Sequence, residues 1–134
     1  MNASFADTNV VLYSLSEDDY KRSIALSILA ARPVISAQVL NETAHTMRRK
    51  LGFTVPAISA VIVRLIQECH VVPIMADTTL LALNIAERHQ FSIYDSLIVA
   101  AALEASCTTL YSEDMQHQQK IDNRLMIINP FKQQ

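Results

Sequence analysis

Apolar positions along this 134-residue chain follow two alternating rhythms. Short runs of strand length, several rich in β-branched residues, occur near Ser4-Phe5-Ala6, Pro33-Val34-Ile35, His70 to Ile74, Cys107 to Tyr111 and Leu125 to Ile128. Between them the apolar residues recur at helical spacing: Tyr20, Ile24, Ile28 and Ala31, then Leu40, Ala44, Met47 and Leu51. Further along come Ile58, Val61, Ile62, Leu65, Ile66 and Cys69, and then Leu81 with Ile85. From Leu97 to Ala105 the pattern is apolar nearly all round apart from Glu104, which predicts a helix buried on more than one side. This alternation predicts an α/β domain with a central, mostly parallel sheet of about five strands, a class that binds ligands at the carboxyl ends of its strands.

Local signals place the helix ends. Ser16 with Asp19 reads as a capping box for a helix running to about Arg32. Gly52 is placed to end a helix from about Ala37 to Leu51, and Thr54 with Pro56 to start the next. Asp77 and Ser92 are the expected caps of the last two helices.

Composition narrows the function. The length fits one domain with a real core. No apolar run approaches the ~20 residues of a membrane span, and the first residues lack the pattern of a signal peptide, so a cytoplasmic protein without membrane contact is expected. Cys69 and Cys107 lie in apolar stretches without metal or redox spacing and read as buried small hydrophobes. Gly52 is the only glycine, which excludes glycine-rich phosphate loops and dinucleotide fingerprints. A formal charge of −2 argues against nucleic-acid binding through a broad basic surface. Lys21-Arg22 and Arg48-Arg49-Lys50 are local basic groups that suit either a solvated helix face or phosphate contact.

Four acids stand next to structural boundaries: Asp7, Glu42, Asp95 and Asp114. Two carboxylates ~4 Å apart repel by ~4 kcal/mol at an effective dielectric of ~20, so a cluster of four must hold cations, hold protons or cost stability. Each has a plain structural alternative. Asp7 follows the first strand and suits a helix N-cap, Asp95 completes a capping box with Ser92, and Asp114 suits a turn. Glu42 shares a helix face with Gln38, His45 and Arg49, opposite the apolar stripe, which fits solvent or the wall of an open cleft. Glu113 reads as a spare ligand or, on the plainer reading, a solvent-exposed bystander. The four histidines lack zinc-like pairing, leaving His45 and His117 as candidate rims of a site.

Taken in order, Phe5-Ala6-Asp7-Thr8-Asn9-Val10, Val39-Leu40-Asn41-Glu42, Ser92-Ile93-Tyr94-Asp95-Ser96-Leu97-Ile98 and Leu110-Tyr111-Ser112-Glu113-Asp114-Met115 give the chain its resemblance to PIN-domain ribonucleases. The likeness is to the small VapC-type toxins of type II toxin–antitoxin systems and spans essentially the whole chain. It implies a three-layer α/β/α sandwich forming a single nuclease domain over 1–134. It further implies that Asp7, Glu42, Asp95 and Asp114 are the catalytic and metal-holding acids, with Thr8, Asn9 and Ser112 as supporting polar positions. Ala6 departs from the larger aliphatic residue usual before the first aspartate.

The resemblance implies Mg²⁺ or Mn²⁺ as cofactor, and these hard cations suit carboxylate oxygens. It implies RNA as substrate, a homodimer, and a cognate antitoxin whose tail covers the site. Phosphodiester hydrolysis is the expected reaction, with Arg49 or Lys50 meeting the RNA backbone on grounds of helix facing. The alternative is a catalytically inactive PIN-like protein acting as a binding partner. A phosphorylation-controlled receiver domain fits poorly, since no Asp lies between Asp19 and Asp77 and Asn129-Pro130 follows the last predicted strand.

Overall fold

The computed structural model describes residues 3–133. Its strands are β1 (Ala3–Ala6), β2 (Val34–Ser36), β3 (His70–Val72), β4 (Cys107–Tyr111), β5 (Lys120–Ile121) and β6 (Leu125–Ile128). They form one sheet in the order β3-β2-β1-β4-β6-β5, in which only the β5–β6 pairing is antiparallel. The helices are α1 (Thr8–Tyr13), α2 (Asp19–Ala30), α3 (Ala37–Arg49), α4 (Val55–Glu68), α5 (Ala76–His89) and α6 (Ile93–Glu104).

Among the described residues the sheet has six strands rather than about five. The extra strand, β5, is two residues long, too short to leave a periodic trace, and it returns into β6 through Asp122 and Asn123, both left-handed at φ 54°. Asp and Asn tolerate that conformation better than most side chains.

Parallel crossovers are right-handed, so the chain's direction of travel assigns the helices to faces. From β1 to β2 to β3 it steps one way, placing α1 to α4 on one face; from β3 it returns past β1 to β4, placing α5 and α6 on the other. The result is the expected three-layer sandwich. The point where the strand order reverses lies between β1 and β4, whose residues pair Phe5 with Leu110 and Ala6 with Tyr111. Ligand sites of open α/β sheets form at such a reversal.

Phe5, Ile35, Leu110 and Ile127 are fully buried on the strands, and every residue from Ile98 to Leu103 on α6 is buried. The all-round apolar pattern of α6 thus has its expected cause, because the helix packs on both α5 and the sheet. Both cysteines are buried and unpaired, and burial pushes their thiols up to about 11.

Some predicted boundaries moved. Asp18, not Ser16, caps α2 by accepting from the Lys21 amide, and α2 ends at Ala30. The cap position of α5 is Met75, whose amide donates to the Thr78 hydroxyl, which leaves Asp77 in the first turn instead of capping. Thr54 and Ser92 cap α4 and α6 as read. Gly52 adopts φ 69° just past α3, where a residue without Cβ is the unstrained choice.

Candidate active site

Asp7 leaves the carboxyl end of β1, where its amide still extends the ladder by donating to the Tyr111 carbonyl at 2.9 Å. It is also the N-cap of α1, its Oδ1 accepting from the Thr8 amide at 2.7 Å. Its other oxygen accepts from the Ser112 hydroxyl at 2.8 Å. The helix cap and the buried carboxylate are therefore one side chain. The adjacent carboxyl end of β4 delivers Ser112, Glu113 and Asp114 beside it.

Glu42 reaches the same place from the second turn of α3. The buried stripe of that helix is Val39, Thr43 and Met47, rotated from the one read off the sequence, and Leu51 is exposed. That rotation takes Glu42 off the solvent face. Its Oε1 accepts from the Thr8 hydroxyl at 3.0 Å and from Gln38 Nε2 at 3.1 Å, and the same Gln38 nitrogen donates to the Tyr94 carbonyl at 3.3 Å. Gln38 thus bridges α3 to the start of α6. A helix that leads into a parallel strand runs antiparallel to it, so the first turn of α6, with Asp95, stands at the carboxyl ends of the strands.

The electrostatics record the gathering of these acids. Burial, followed by the charges of Asp114 and Asp95, lifts Asp7 from its ordinary 3.8 to about 6, against the lowering effect of the Ser112 and Thr8 bonds. Asp95 is raised by burial and then by Asp114 and Glu42. All four acids therefore share one field, and none of them forms an ion pair with a Lys or Arg among the described residues.

Three helix N-termini, those of α1, α3 and α6, face this end of the sheet and offset part of the negative charge. The rest must be met by cations or protons, or stand as a cost in stability. Among the described residues, no three His, Cys, Asp or Glu side chains converge closely enough to hold one ion directly. An all-oxygen donor set this dispersed fits Mg²⁺ or Mn²⁺ better than zinc, because the hard cations keep several waters and take only one or two carboxylates. The buried, unpartnered oxygens Gln38 Oε1 and Ser96 Oγ beside the acids leave acceptor capacity for such waters.

Asn9 links the two strand ends: its Nδ2 donates to Asp114 Oδ2 at 3.0 Å and its Oδ1 accepts from the Glu113 amide at 3.2 Å. Glu113 is not a bystander. Lys21 Nζ lies 2.7 Å from its Oε2, and the Tyr13 hydroxyl donates to Oε1 at 2.5 Å. Partial burial opposes ionisation there, yet the bonds from Lys21 and Tyr13 outweigh it and hold Glu113 below its ordinary range. No sequence signal links Lys21 to Glu113, since the two meet only through the packing of α1 and α2. His45 lines a cleft of ≈ 790 Å³ beside Glu42 and Tyr94. His117 instead has a structural part, its Nδ1 accepting from the Asn129 amide. Lys50, with Asn9, lines a second cleft of ≈ 670 Å³, and Thr46 borders both.

Residues 4–123, a span that includes all four acids, match the family model described as PIN domain. The chain belongs to the PIN domain family. Solved structures similar to this PIN domain include Mycobacterium tuberculosis VapC20, described as a sarcin-ricin loop cleaving toxin. It is 24% identical with a TM-score of 0.68, covering 84% of this chain and 90% of that one. A toxin–antitoxin complex from Klebsiella pneumoniae is 17% identical with a TM-score of 0.73, covering 96% and 98%. VapBC2 from Rickettsia felis, bound to a DNA fragment from its promoter, is 18% identical with a TM-score of 0.67, covering 93% and 96%. At these identities the likeness is one of fold. No curated protein matches this PIN domain in sequence.

Proposed function

We propose that residues 1–134 form a single nuclease domain that hydrolyses RNA phosphodiester bonds with Mg²⁺ or Mn²⁺, as the cytoplasmic toxin of a toxin–antitoxin pair. One observation carries this reading. Four acids from four separate segments stand near enough at the sheet's reversal point to raise one another, Asp7 being buried and lifted to about 6, and none of them is in an ion pair with a Lys or Arg among the described residues. A fold keeps repelling carboxylates together at a cost to stability, so their retention points to chemistry.

Asp7, Asp95 and Asp114 hold the cation, directly or through water, and Glu42 completes the set or takes a proton from the attacking water. Thr8 and Gln38 aim Glu42 by occupying one of its oxygens, leaving the other for that task. When bound, the divalent ion neutralises phosphate charge and acidifies water. Asn9 and Ser112 orient Asp114 and Asp7 respectively. The two clefts bordered by Thr46 supply a path for a single strand past the acids.

Structural neighbours described as toxin–antitoxin complexes support an antitoxin partner. Exposed Met75, Leu80 and Leu83 around α5 suit a homodimer. No helix among the described residues is long and apolar enough to cross a membrane. The dispersed donor set also suits the alternative of an inactive PIN-like binding partner.

The deciding assay is RNA cleavage by purified protein with Mg²⁺ or Mn²⁺, set against EDTA and against Asp7→Asn. Cleavage that needs the ion and is lost in the variant is the expected result. Activity that survives chelation, or a folded Asp7→Asn protein that cleaves normally, rejects the mechanism.

A further inference from the structure

Lys21, Tyr13 and Glu113 form a second polar cluster next to the acids. Lys21 Nζ donates to the Tyr13 hydroxyl at 3.0 Å as well as to Glu113, and sits 4.4 Å from the Tyr13 ring centroid and 5.8 Å from that of Phe131. The Tyr13 and Phe131 rings meet edge to face with centroids 4.8 Å apart, so the ammonium is held by two aromatic rings, a hydroxyl and a carboxylate. Both charged side chains keep 28% exposure. Ion pairs this open to water add little stability, so the consequence of the cluster is geometric.

That consequence falls on the Ser112–Asp114 segment. Ser112 is tied to Asp7, while the Glu113 amide and the Asp114 carboxylate are both tied to Asn9. The Asp114 amide also donates to the Ser112 hydroxyl at 3.3 Å. Every one of these ties ends on the stretch from Asp7 to Asn9 or within the segment itself. Beyond them the Ser112 amide donates to the Ile128 carbonyl on β6 at 3.0 Å, and the Glu113 side chain is the segment's one side-chain anchor on α1 and α2, at the last residue of α1 and the first turn of α2. Released from that anchor, it becomes a fifth hard oxygen donor one residue from Asp114, free to swing toward the cation. The peptide carrying Asp114 then relies on its Asn9 and Ser112 bonds, between Ser112 fixed to β6 on one side and buried Met115 on the other.

We propose that Lys21 and Tyr13 are positioning residues: by clasping Glu113 away from the four acids, they orient the Asp114 carboxylate for the cation and prevent Glu113 from competing for it. The inference rests on the divalent-metal reading of the site.

Its test compares the full-length chain with Lys21→Met, which removes the charge and keeps the stem, and with Lys21→Arg, which restores the charge. Calorimetry with Mn²⁺ reads cation affinity, and amide hydrogen exchange at Glu113 and Asp114 reads the segment in metal-free protein. Outer-shell partners of metal ligands commonly control affinity by a factor of 10 or more, so Lys21→Met is expected to weaken Mn²⁺ binding about tenfold and to speed exchange at both amides by a similar factor. In Lys21→Arg both values return toward wild type, an outcome that mere loss of fold stability does not produce. If Lys21→Met fails to fold, Tyr13→Phe removes the hydroxyl while keeping the ring on Phe131, with the same direction expected. Wild-type affinity and wild-type exchange in a folded Lys21→Met protein overturn the proposal alone. Failure of the unmodified protein to bind Mn²⁺ overturns the metal reading and the proposal with it.

Discussion

Removing the negative charge at Asp7 should stabilise the metal-free protein while abolishing its chemistry. Asp7 is only 5% exposed, and its carboxyl is raised from 3.8 to about 6, chiefly because burial disfavours the ionised form. A raised carboxyl binds its proton more tightly in the folded state, so stability is lost as pH rises from the unfolded value toward the folded one. Above about pH 6 the whole penalty applies. The gap between 3.8 and about 6, at about 1.4 kcal/mol for each pH unit, comes to about 3 kcal/mol.

Asn imitates the protonated carboxyl, but not perfectly. Its oxygen still accepts from the Thr8 amide, whereas its nitrogen faces the Ser112 hydroxyl that donated to Asp7. Reversing that bond costs about 1 kcal/mol. The net expectation for Asp7→Asn at pH 8 is a gain of about 2 kcal/mol, or roughly 8 °C in Tm for a domain of this size. At pH 4.5 the native carboxyl is already protonated and the residual penalty is about 1 kcal/mol, which the imperfect amide cancels. Thermal unfolding in EDTA at the two pH values measures this. A variant that melts at or below wild type at pH 8, or that gains equally at both, refutes the claim that the buried charge is a stability cost.

Saturating Mg²⁺ should reverse the order of the two proteins at pH 8, because a ligand that binds only the folded state stabilises by mass action and, on the proposed reading, Asp7→Asn removes one of the groups that hold it. Melting curves across a Mg²⁺ titration check it, and an equal shift in both would show that Asp7 holds no cation. Ser112→Ala removes a bond that lowers Asp7, so the Asp7 midpoint should move above 6; carbon-detected NMR titration reads it directly. Thr8→Val deletes the hydroxyl that steers Glu42, and cleavage should slow about tenfold while stability falls by about 1 kcal/mol. A rate unchanged by Thr8→Val would mean that Glu42 needs no steering. Leu110→Ala, on a fully buried position of β4, should cost about 2–5 kcal/mol in urea unfolding.

How much of the site is legible in the sequence differs by residue. Asp7 and Asp95 carry local signals, because a strand end and a capping pattern are properties of a few neighbouring residues. Glu42 is harder. Helical periodicity places it opposite an apolar stripe, and that inference fails because α3 buries Val39, Thr43 and Met47 instead, including a threonine that hydropathy does not count as core. Glu113 is invisible in a different way, since its partner lies 92 residues away and nothing in Lys21's own surroundings announces an ion pair. The two-residue β5 escapes for lack of length.

By itself, the sequence determined the class of fold, the alternation of hydrophobic strands and helices and the buried character of α6, and it named the four acids proposed for the site. These follow from interactions that repeat along the chain or involve near neighbours. Only the tertiary structure decided that β1 and β4 are adjacent, that Glu42 turns inward to Thr8, that burial lifts Asp7 to about 6, and that Lys21 clasps Glu113. Each of those depends on groups far apart in the chain meeting at short range in a medium with little water, where charge and hydrogen-bond geometry are set by packing rather than by spacing.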